Sequence, residues 1–203
     1  RVKSMARRAV VTSTFVIFPM MFGLFVIAEP LVKILLTDKW LPCVPFLQIF
    51  CLIYALWPIH TVNLQAINAI GRSDVNLNLQ IIKRTLDILI LIVTISMGIY
   101  AIALGALFSG VASSFINAFP NKKLINYNYF EQVKDIVPSL ILALIMAVVV
   151  FSLSYLNLPL IFKLILQIFT GGTVYILLSY YLKIEAFTYL LDTLKVLISK
   201  KTV

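Results

Sequence analysis

Apolar segments long enough to cross a membrane follow one another along almost the whole of this sequence. A helix needs roughly 20 apolar residues to cross the ~30 Å hydrocarbon core of a bilayer. Charged or turn-forming residues separate the segments, which fall at 11–36, 43–70, 77–97, 99–119, 134–156 and 159–182. Hydrophobic residues make up 62% of the chain, far above their share in soluble domains. We therefore predict an all-α, polytopic membrane protein with six transmembrane helices.

The uncharged run at 88–119 decides the number of spans, since it fits either one long helix or two helices meeting at Met97 and Gly98. Short cytoplasmic loops are enriched in Lys and Arg. With two helices and a cytoplasmic start, 14 of the 17 Lys and Arg residues fall on the cytoplasmic side, whereas a single helix divides them 8 to 9. Six spans with both ends in the cytoplasm are therefore predicted. Anionic lipid headgroups account for the net charge of +9, so we expect membrane lipids, and no nucleic acid, as partners.

The last segment, 183–203, has the pattern of an amphipathic helix in the cytoplasmic interface. Three lysines lie off one apolar helical stripe. The stripe consists of Phe187, Leu190, Leu191, Leu194, Leu197 and Ile198, and the lysines are Lys195, Lys200 and Lys201. We divide the chain into a six-span part, 1–182, and this cytoplasmic tail, 183–203.

No arrangement of residues in the sequence indicates catalysis, a metal or a cofactor. Cys43 and Cys51 are eight residues apart, which on a helix separates their Cα atoms by about 12 Å and excludes a disulfide. The single histidine, His60, has no catalytic partner near it in sequence. Neither a nucleophile elbow nor a phosphate-binding Gly loop is present. The sequence gives no positive support for an enzyme.

The third predicted span carries an unusual polar face. Ionisable groups cost roughly 2.5 to 3.5 kcal/mol at the centre of a membrane helix, so they normally face a cavity or a partner. The residues that project within about 60° of one another are Asn76, Gln80, Lys83, Asp87 and Thr94, with Arg84 at the margin. Lys83 and Asp87 are spaced to form an i, i+4 ion pair. Either this face lines a cavity, or Lys83 and Arg84 lie near the cytoplasmic end and snorkel to the interface.

The second predicted span is also polar in its later half. It contains His60, Asn63, Gln65 and Asn68, and Arg72 follows at its cytoplasmic end. These groups either hydrogen-bond between helices or contribute to a water-filled cavity open to the cytoplasm. The candidate substrate-binding residues from both spans are Lys83, Arg84, Asp87, Gln80, Asn63, Asn68 and Arg72.

Small residues follow each other at four-residue intervals in the fourth predicted span. Such faces allow helix backbones to approach closely in lipid, and packing is the preferred interpretation over contact with a substrate. The two series are Ala101, Gly105, Ser109, Ser113 and Ala106, Gly110, Ser114.

Three stretches of the sequence carry a resemblance to a known family. In chain order they are FPMMFGLFVIAEPLVKILLTDKW, LQAINAIGRSDVNLNLQIIKR and GIYAIALGALFSG. Together they resemble the bacterial flippases of O-antigen, capsule and exopolysaccharide repeat units. These flippases belong to the multidrug/oligosaccharidyl-lipid/polysaccharide exporter superfamily. The resemblance covers essentially the whole chain and implies the C-terminal lobe of a longer protein, whose N-terminal half would be a partner of this part.

The resemblance further implies an inner-membrane flippase that carries a polyprenyl-pyrophosphate-linked oligosaccharide to the periplasmic leaflet by alternating access. Pro19 and Gly23 would then form a hinge in the first span, although a static kink is the alternative. A multidrug exporter of the same superfamily, an integral-membrane glycosyl or acyl transferase and a non-transporting scaffold remain as other hypotheses.

Overall fold

A computed structural model describes the backbone of residues 1–200 and the side chains of residues 1–193. Every regular element among residues 1–200 is helical, which confirms the predicted all-α fold. The α-helices are α1 (Val2–Leu36), α2 (Val44–Ala55), α3 (Trp57–Ala69), α4 (Ser73–Thr94), α5 (Ile99–Leu124), α6 (Tyr129–Ser152), α7 (Leu160–Tyr181) and α8 (Glu185–Lys200). Short 3-10 turns occupy Asp38–Cys43, Ile95–Met97 and Leu153–Tyr155.

Five helical segments of the described chain are long and apolar enough to cross a membrane. They are Val2–Leu36, Asp38–Ala69, Ile99–Leu124, Tyr129–Tyr155 and Leu160–Tyr181. Helix α4 is less apolar because it carries Lys83, Arg84 and Asp87, but its 22 residues extend about 33 Å. The chain is therefore a multi-pass membrane protein, and α4 supplies a sixth crossing only if its charged side chains are sheltered.

Helices α4 and α5 form an antiparallel hairpin around Gly98. Gly98 has a φ of 94°, a conformation that glycine adopts without strain. Gly105 packs directly on α4, since a Cβ atom there would come within 2.8 Å of Ile90 Cγ2. The prediction that the uncharged run is two helices is confirmed, and Gly105 has the packing role expected of a small residue.

The second span is interrupted, whereas the first is continuous. Helix α2 ends at Ala55 and α3 begins at Trp57, with Pro58 in the first turn of α3. Proline has no backbone N–H to continue the preceding helix. By contrast, α1 remains helical through Pro19 and Gly23. The helix break thus lies in the second span, and the hinge at Pro19 and Gly23 stays a prediction.

Helix α1 is the centre of the fold and packs against α2, α3, α6, α7 and α8. Phe15 and Phe18 of α1 are buried against the middle of α6 and α7. The hydroxyl of Tyr175 donates a hydrogen bond to the Phe15 carbonyl at 2.8 Å. This bond satisfies the hydroxyl, which is the only polar group in the buried side chain of Tyr175. It holds α7 to α1 within the apolar interior.

Ionic contacts join α1, α6 and α8 at one end of the bundle. We call this the basic end; it comprises the start of α1 and the loops 70–72, 125–128 and 182–184. Arg7 binds Asp135 at 3.0 Å and Glu185 at 2.9 Å. The Tyr127 hydroxyl donates to Asp135 at 2.7 Å, and burial, followed by this hydrogen bond, raises the pKa of Tyr127. The three helices are thereby fixed to one another at this end.

The predicted tail helix exists as α8, and part of its apolar stripe packs on the bundle. Phe187 and Leu190 contact the main hydrophobic core, and the Phe187 ring lies 6.1 Å from that of Phe15. The boundary predicted at residue 182 falls in the turn between α7 and α8. The side chains of Leu194, Leu197, Ile198, Lys195, Lys200 and Lys201 lie outside the described residues.

Candidate functional site

A polar cavity of about 450 Å³ opens between the second span and the α4–α5 hairpin. It is bounded by three walls that come from different parts of the sequence. Its lining is Ile53, Trp57, His60, Thr61, Leu64, Gln65, Gln80, Lys83, Arg84, Asp87, Ala106, Ser109, Gly110, Ser113 and Asn117. Since the predicted polar face of α4 forms one wall, four of the candidate residues, Gln80, Lys83, Arg84 and Asp87, are brought together.

Lys83 and Arg84 lie near the middle of α4 rather than at its end. Lys83 is ten residues beyond Ser73, which places it about 15 Å along the helix axis. Its side chain is half-buried and faces the cavity. Arg84 also contributes to the lining, but its side chain is 79% exposed. The position of Lys83 favours the cavity-facing interpretation over snorkelling at the interface, and for Arg84 that interpretation stays a prediction.

Asp87 is bound by Arg84 and Ser109, not by Lys83 as the spacing predicted. The Arg84 Nη1 atom lies 3.6 Å from Asp87 Oδ2, and the Ser109 hydroxyl donates a short hydrogen bond to Asp87 Oδ1. Ser109 comes from α5 and turns the carboxylate toward that helix. Within residues 1–193, Lys83 has no ion-pair partner. Two basic side chains and one acidic side chain therefore lie at this wall of the cavity.

The wall opposite Lys83 is rich in hydrogen-bonding groups. Asn117 Nδ2 lies 3.2 Å from His60 Nδ1, and Asn117 is only 1% exposed. Asn117 Oδ1 is buried without a hydrogen-bond partner among the described residues. A buried, unpaired amide oxygen is costly, and a molecule in the cavity could reach this atom only if the side chain of Asn117 moved.

Sequence reasoning did not assign Ser109 or Asn117 to a site. They continue the four-residue series that begins at Ala101 and passes through Gly105 and Ser113. Gly105, in the early part of the series, packs on α4, and the later members Ser109, Ser113 and Asn117 line the cavity. Along this face of α5 the residues change from Gly to Ser and Asn, and this change in the sequence could have indicated Ser109 and Asn117 as site residues.

Asn63 does not line the cavity but belongs to a buried amide cluster that joins α3, α5 and α6. Asn63 and Gln132 exchange two hydrogen bonds of 2.7 and 2.9 Å. Asn121 Nδ2 also donates to Asn63 Oδ1, at 2.6 Å. All three side chains are buried. Of the two interpretations offered for the polar second span, hydrogen bonding between helices therefore describes Asn63.

Asn68 and Arg72 lie at the basic end, away from the cavity lining. Asn68 Oδ1 accepts a hydrogen bond from Asn76 at 2.9 Å. Arg72 pairs with Asp74 at 2.8 Å, and both side chains are at least half exposed. These contacts fix the turn around Gly71 between α3 and α4, so the structure does not bring Asn68 and Arg72 to the four residues on α4.

Pro19 and Gly23 line a second, apolar groove of about 520 Å³ between α1, α6 and α7. Gly23 lies beside Met146, and Gly171 lies beside Val150, so small residues bring the three helices close together. The one buried polar side chain in the lining, Gln167, donates to the Val150 carbonyl and to Ser154. Nothing in this groove would bind an anion.

No metal site is evident in the part of the chain that the structure describes. No group of three or more His, Cys, Asp and Glu side chains there is close enough to hold an ion.

Comparison with known proteins supports the resemblance found in the sequence. Residues 1–45 match the family model described as "Polysaccharide biosynthesis protein". The fold matches the solved structure "Lipid II flippase MurJ, inward closed conformation" with a TM-score of 0.76 and 19% sequence identity. The match covers 90% of this chain and 40% of that chain, so this chain spans less than half of the MurJ structure. No curated protein sequence matches the chain.

These observations define the class of protein: a multi-pass, all-helical membrane protein whose fold is that of part of a flippase. The match at residues 1–45 links its first span to polysaccharide biosynthesis proteins. The prediction of a flippase-type fold is thereby confirmed.

Proposed function

We propose that this chain is part of a flippase that moves a polyprenyl-pyrophosphate-linked oligosaccharide across a bacterial inner membrane for surface polysaccharide synthesis. Its fold is shared with a lipid II flippase, and its first span matches a polysaccharide biosynthesis family. In this proposal the basic end faces the cytoplasm, in accord with the positive-inside rule. Helices outside this chain would complete the translocation pathway, because the MurJ structure extends well beyond the matched part.

The observation that carries the proposal is the unpaired ammonium group of Lys83 inside a polar cavity within the membrane. A cation at this depth is costly unless an anion accompanies it. Arg84 lies beside it and shares its charge with Asp87 at a distance of 3.6 Å. A pyrophosphate entering the cavity would bind Lys83 directly and compete with Asp87 for Arg84, whose guanidinium can bind two phosphate oxygens at once.

The rest of the cavity suits a sugar attached to that pyrophosphate. Carbohydrates offer hydroxyl groups to amide side chains, and Gln65 and Gln80 are amides of the cavity lining that are not buried. Trp57 is 59% exposed at the break between α2 and α3 and presents a flat apolar face to the cavity. We assign the cationic wall to the pyrophosphate and the amide wall to the first sugars.

The same charges argue against a multidrug exporter of cationic compounds as the alternative. A cationic drug would meet the net positive charge of Lys83, Arg84 and Asp87 in a medium of low dielectric constant, where like charges repel strongly. A scaffold without transport gives no reason for an unpaired lysine at the middle of a span. We retain Pro19 and Gly23 as the proposed hinge through which alternating access changes the exposure of the cavity.

A complementation experiment tests the proposal. The variant Lys83→Gln/Arg84→Gln is introduced into the full-length protein in a strain that lacks its own copy, and surface polysaccharide is measured after insertion is confirmed. We expect the polymer to be lost. The matched control, Lys122→Gln/Lys123→Gln, removes two adjacent exposed cations at the end of α5 and should preserve the polymer. Full polymer from the cavity variant would contradict the proposed function.

A further inference from the structure

Two adjacent arginines near the start of α1 have very different surroundings. Arg7 is neutralised by Asp135 and Glu185. Arg8 has no carboxylate partner among residues 1–193; instead its guanidinium lies over the ring of Tyr189, 4.8 Å from the centroid. A cation–π contact holds a guanidinium by its face and leaves the N–H groups at its edge free. Arg8 is therefore oriented by α8 but keeps its full charge.

The free edge of Arg8 faces a cleft of about 450 Å³ between α1 and α8. The cleft is separate from the polar cavity and the apolar groove, with which it shares no lining residue. Its lining is Ser4, Met5, Arg8, Ala9, Thr12, Ser13 and Tyr189. Because α1 turns once every 3.6 residues, Ser4, Arg8 and Thr12 follow one another along the same side of the helix.

Hydroxyl groups extend the polar surface of the cleft from Arg8 toward the membrane. The hydroxyl of Ser4 donates to the Arg1 carbonyl at 2.8 Å. The hydroxyls of Thr12 and Ser13 make no hydrogen bond to other described residues, although both side chains are half-buried. Thr12 lies four residues beyond Arg8, about 6 Å deeper along the helix axis.

The Arg8 guanidinium and the hydroxyls of Thr12 and Ser13 thus follow one another along the axis of α1. A phospholipid has the same order, because its ester oxygens lie deeper in the membrane than its phosphate. We propose that the cleft binds an anionic phospholipid from the leaflet at the basic end, with its phosphate on Arg8 and its ester oxygens on Thr12 and Ser13. The planar fork of Arg8 engages two phosphate oxygens. Since Tyr189 belongs to α8, the bound lipid bridges α1 and α8 and stabilises the position of α8.

Phospholipid binding to the full-length protein in detergent tests this assignment by native mass spectrometry. Phosphatidylglycerol should bind the unmodified protein at least about tenfold more tightly than phosphatidylcholine. Arg8→Gln should reduce phosphatidylglycerol binding about tenfold or more, because it removes the charge-assisted contact. The matched control Lys122→Gln removes an exposed cation at the same end and should leave binding unchanged.

A second pair of variants tests the geometry without removing charge. Tyr189→Leu should weaken phosphatidylglycerol binding about threefold, because Arg8 is no longer held over an aromatic ring. Thr12→Val/Ser13→Ala should weaken it by a similar factor. Equal binding by Arg8→Gln and the unmodified protein would overturn the proposal, as would an equal loss in Lys122→Gln. Displacement of the lipid by millimolar inorganic phosphate, or preferential binding of polyprenyl phosphate, would show that the ligand is not a phospholipid.

Discussion

The buried amide cluster provides a quantitative test of how the bundle is held together. Replacing Asn63 with leucine, which has a similar size, removes three hydrogen bonds between helices, two with Gln132 and one from Asn121 Nδ2. It also removes the bond from Asn63 Nδ2 to the Ile59 carbonyl within α3. Side-chain hydrogen bonds between membrane helices average about 0.6 kcal/mol, so three of them contribute about 2 kcal/mol. Gln132 and Asn121 are both 0% exposed and cannot bind water instead. Leaving their polar groups unpaired costs about 1–3 kcal/mol more. We expect Asn63→Leu to destabilise the protein by about 3 to 5 kcal/mol.

Equilibrium unfolding in mixed micelles, followed by circular dichroism, measures this loss. Asn68→Leu is the control on the same helix, because Asn68 is exposed and makes one side-chain contact, with Asn76; it should cost about 0.5 kcal/mol or less. In a double-mutant cycle, Asn63→Leu and Gln132→Leu should couple by about 1 kcal/mol. Equal stabilities of Asn63→Leu and Asn68→Leu would refute the structural role of Asn63 and return it to the candidate substrate contacts.

Three further predictions concern packing, the basic end and topology. Gly105→Ala should destabilise the protein by about 1–3 kcal/mol in the same unfolding assay, because the new methyl group would lie 2.8 Å from a side chain of α4. Gly110→Ala, with its nearest atom at 3.8 Å, should be neutral, and equal effects would contradict the described hairpin packing. Arg7→Gln should release α8 and increase proteolysis after α7 far more than Lys3→Gln, because the contacts of Lys3, with Glu131 and the Tyr127 ring, do not involve α8. In whole cells, a membrane-impermeant maleimide should label Gly98→Cys but not Lys3→Cys, and the reverse pattern would refute the proposed orientation.

The features predicted correctly from the sequence depend on local pattern. The two helices meeting at Gly98 follow from charge distribution and from the freedom of glycine. The common face of Gln80, Lys83 and Asp87 follows from helical periodicity alone. Neither prediction requires knowledge of which helices are neighbours in the fold.

The features that sequence reasoning missed depend on contacts between distant segments. Arg84 and Lys83 are three and four residues from Asp87, and both spacings allow an ion pair, so the spacing alone could not choose between them. The contact of Asp87 with Ser109 depends on α5 lying beside α4. The sequence left Asn63 compatible with either a cavity or a neighbouring helix, and only its contact with Gln132 of α6 decides between them. The break at Trp57 was signalled by Pro58, but Pro19 gives the same local signal within a continuous helix. Packing against the other helices decides which proline interrupts its helix.

Transport of the substrate itself tests the central claim that Lys83 and Arg84 bind an anionic, lipid-linked sugar during flipping. The full-length protein is reconstituted in liposomes with a fluorescent disaccharide on polyprenyl pyrophosphate, and its transfer between leaflets is followed with a membrane-impermeant quencher. Two charge-assisted contacts are lost in Lys83→Gln/Arg84→Gln, so flipping should slow at least about 100-fold. The control Lys122→Gln/Lys123→Gln should flip at the unmodified rate. An unchanged rate in the cavity variant, at equal reconstitution, would contradict the assignment of this cavity to the substrate.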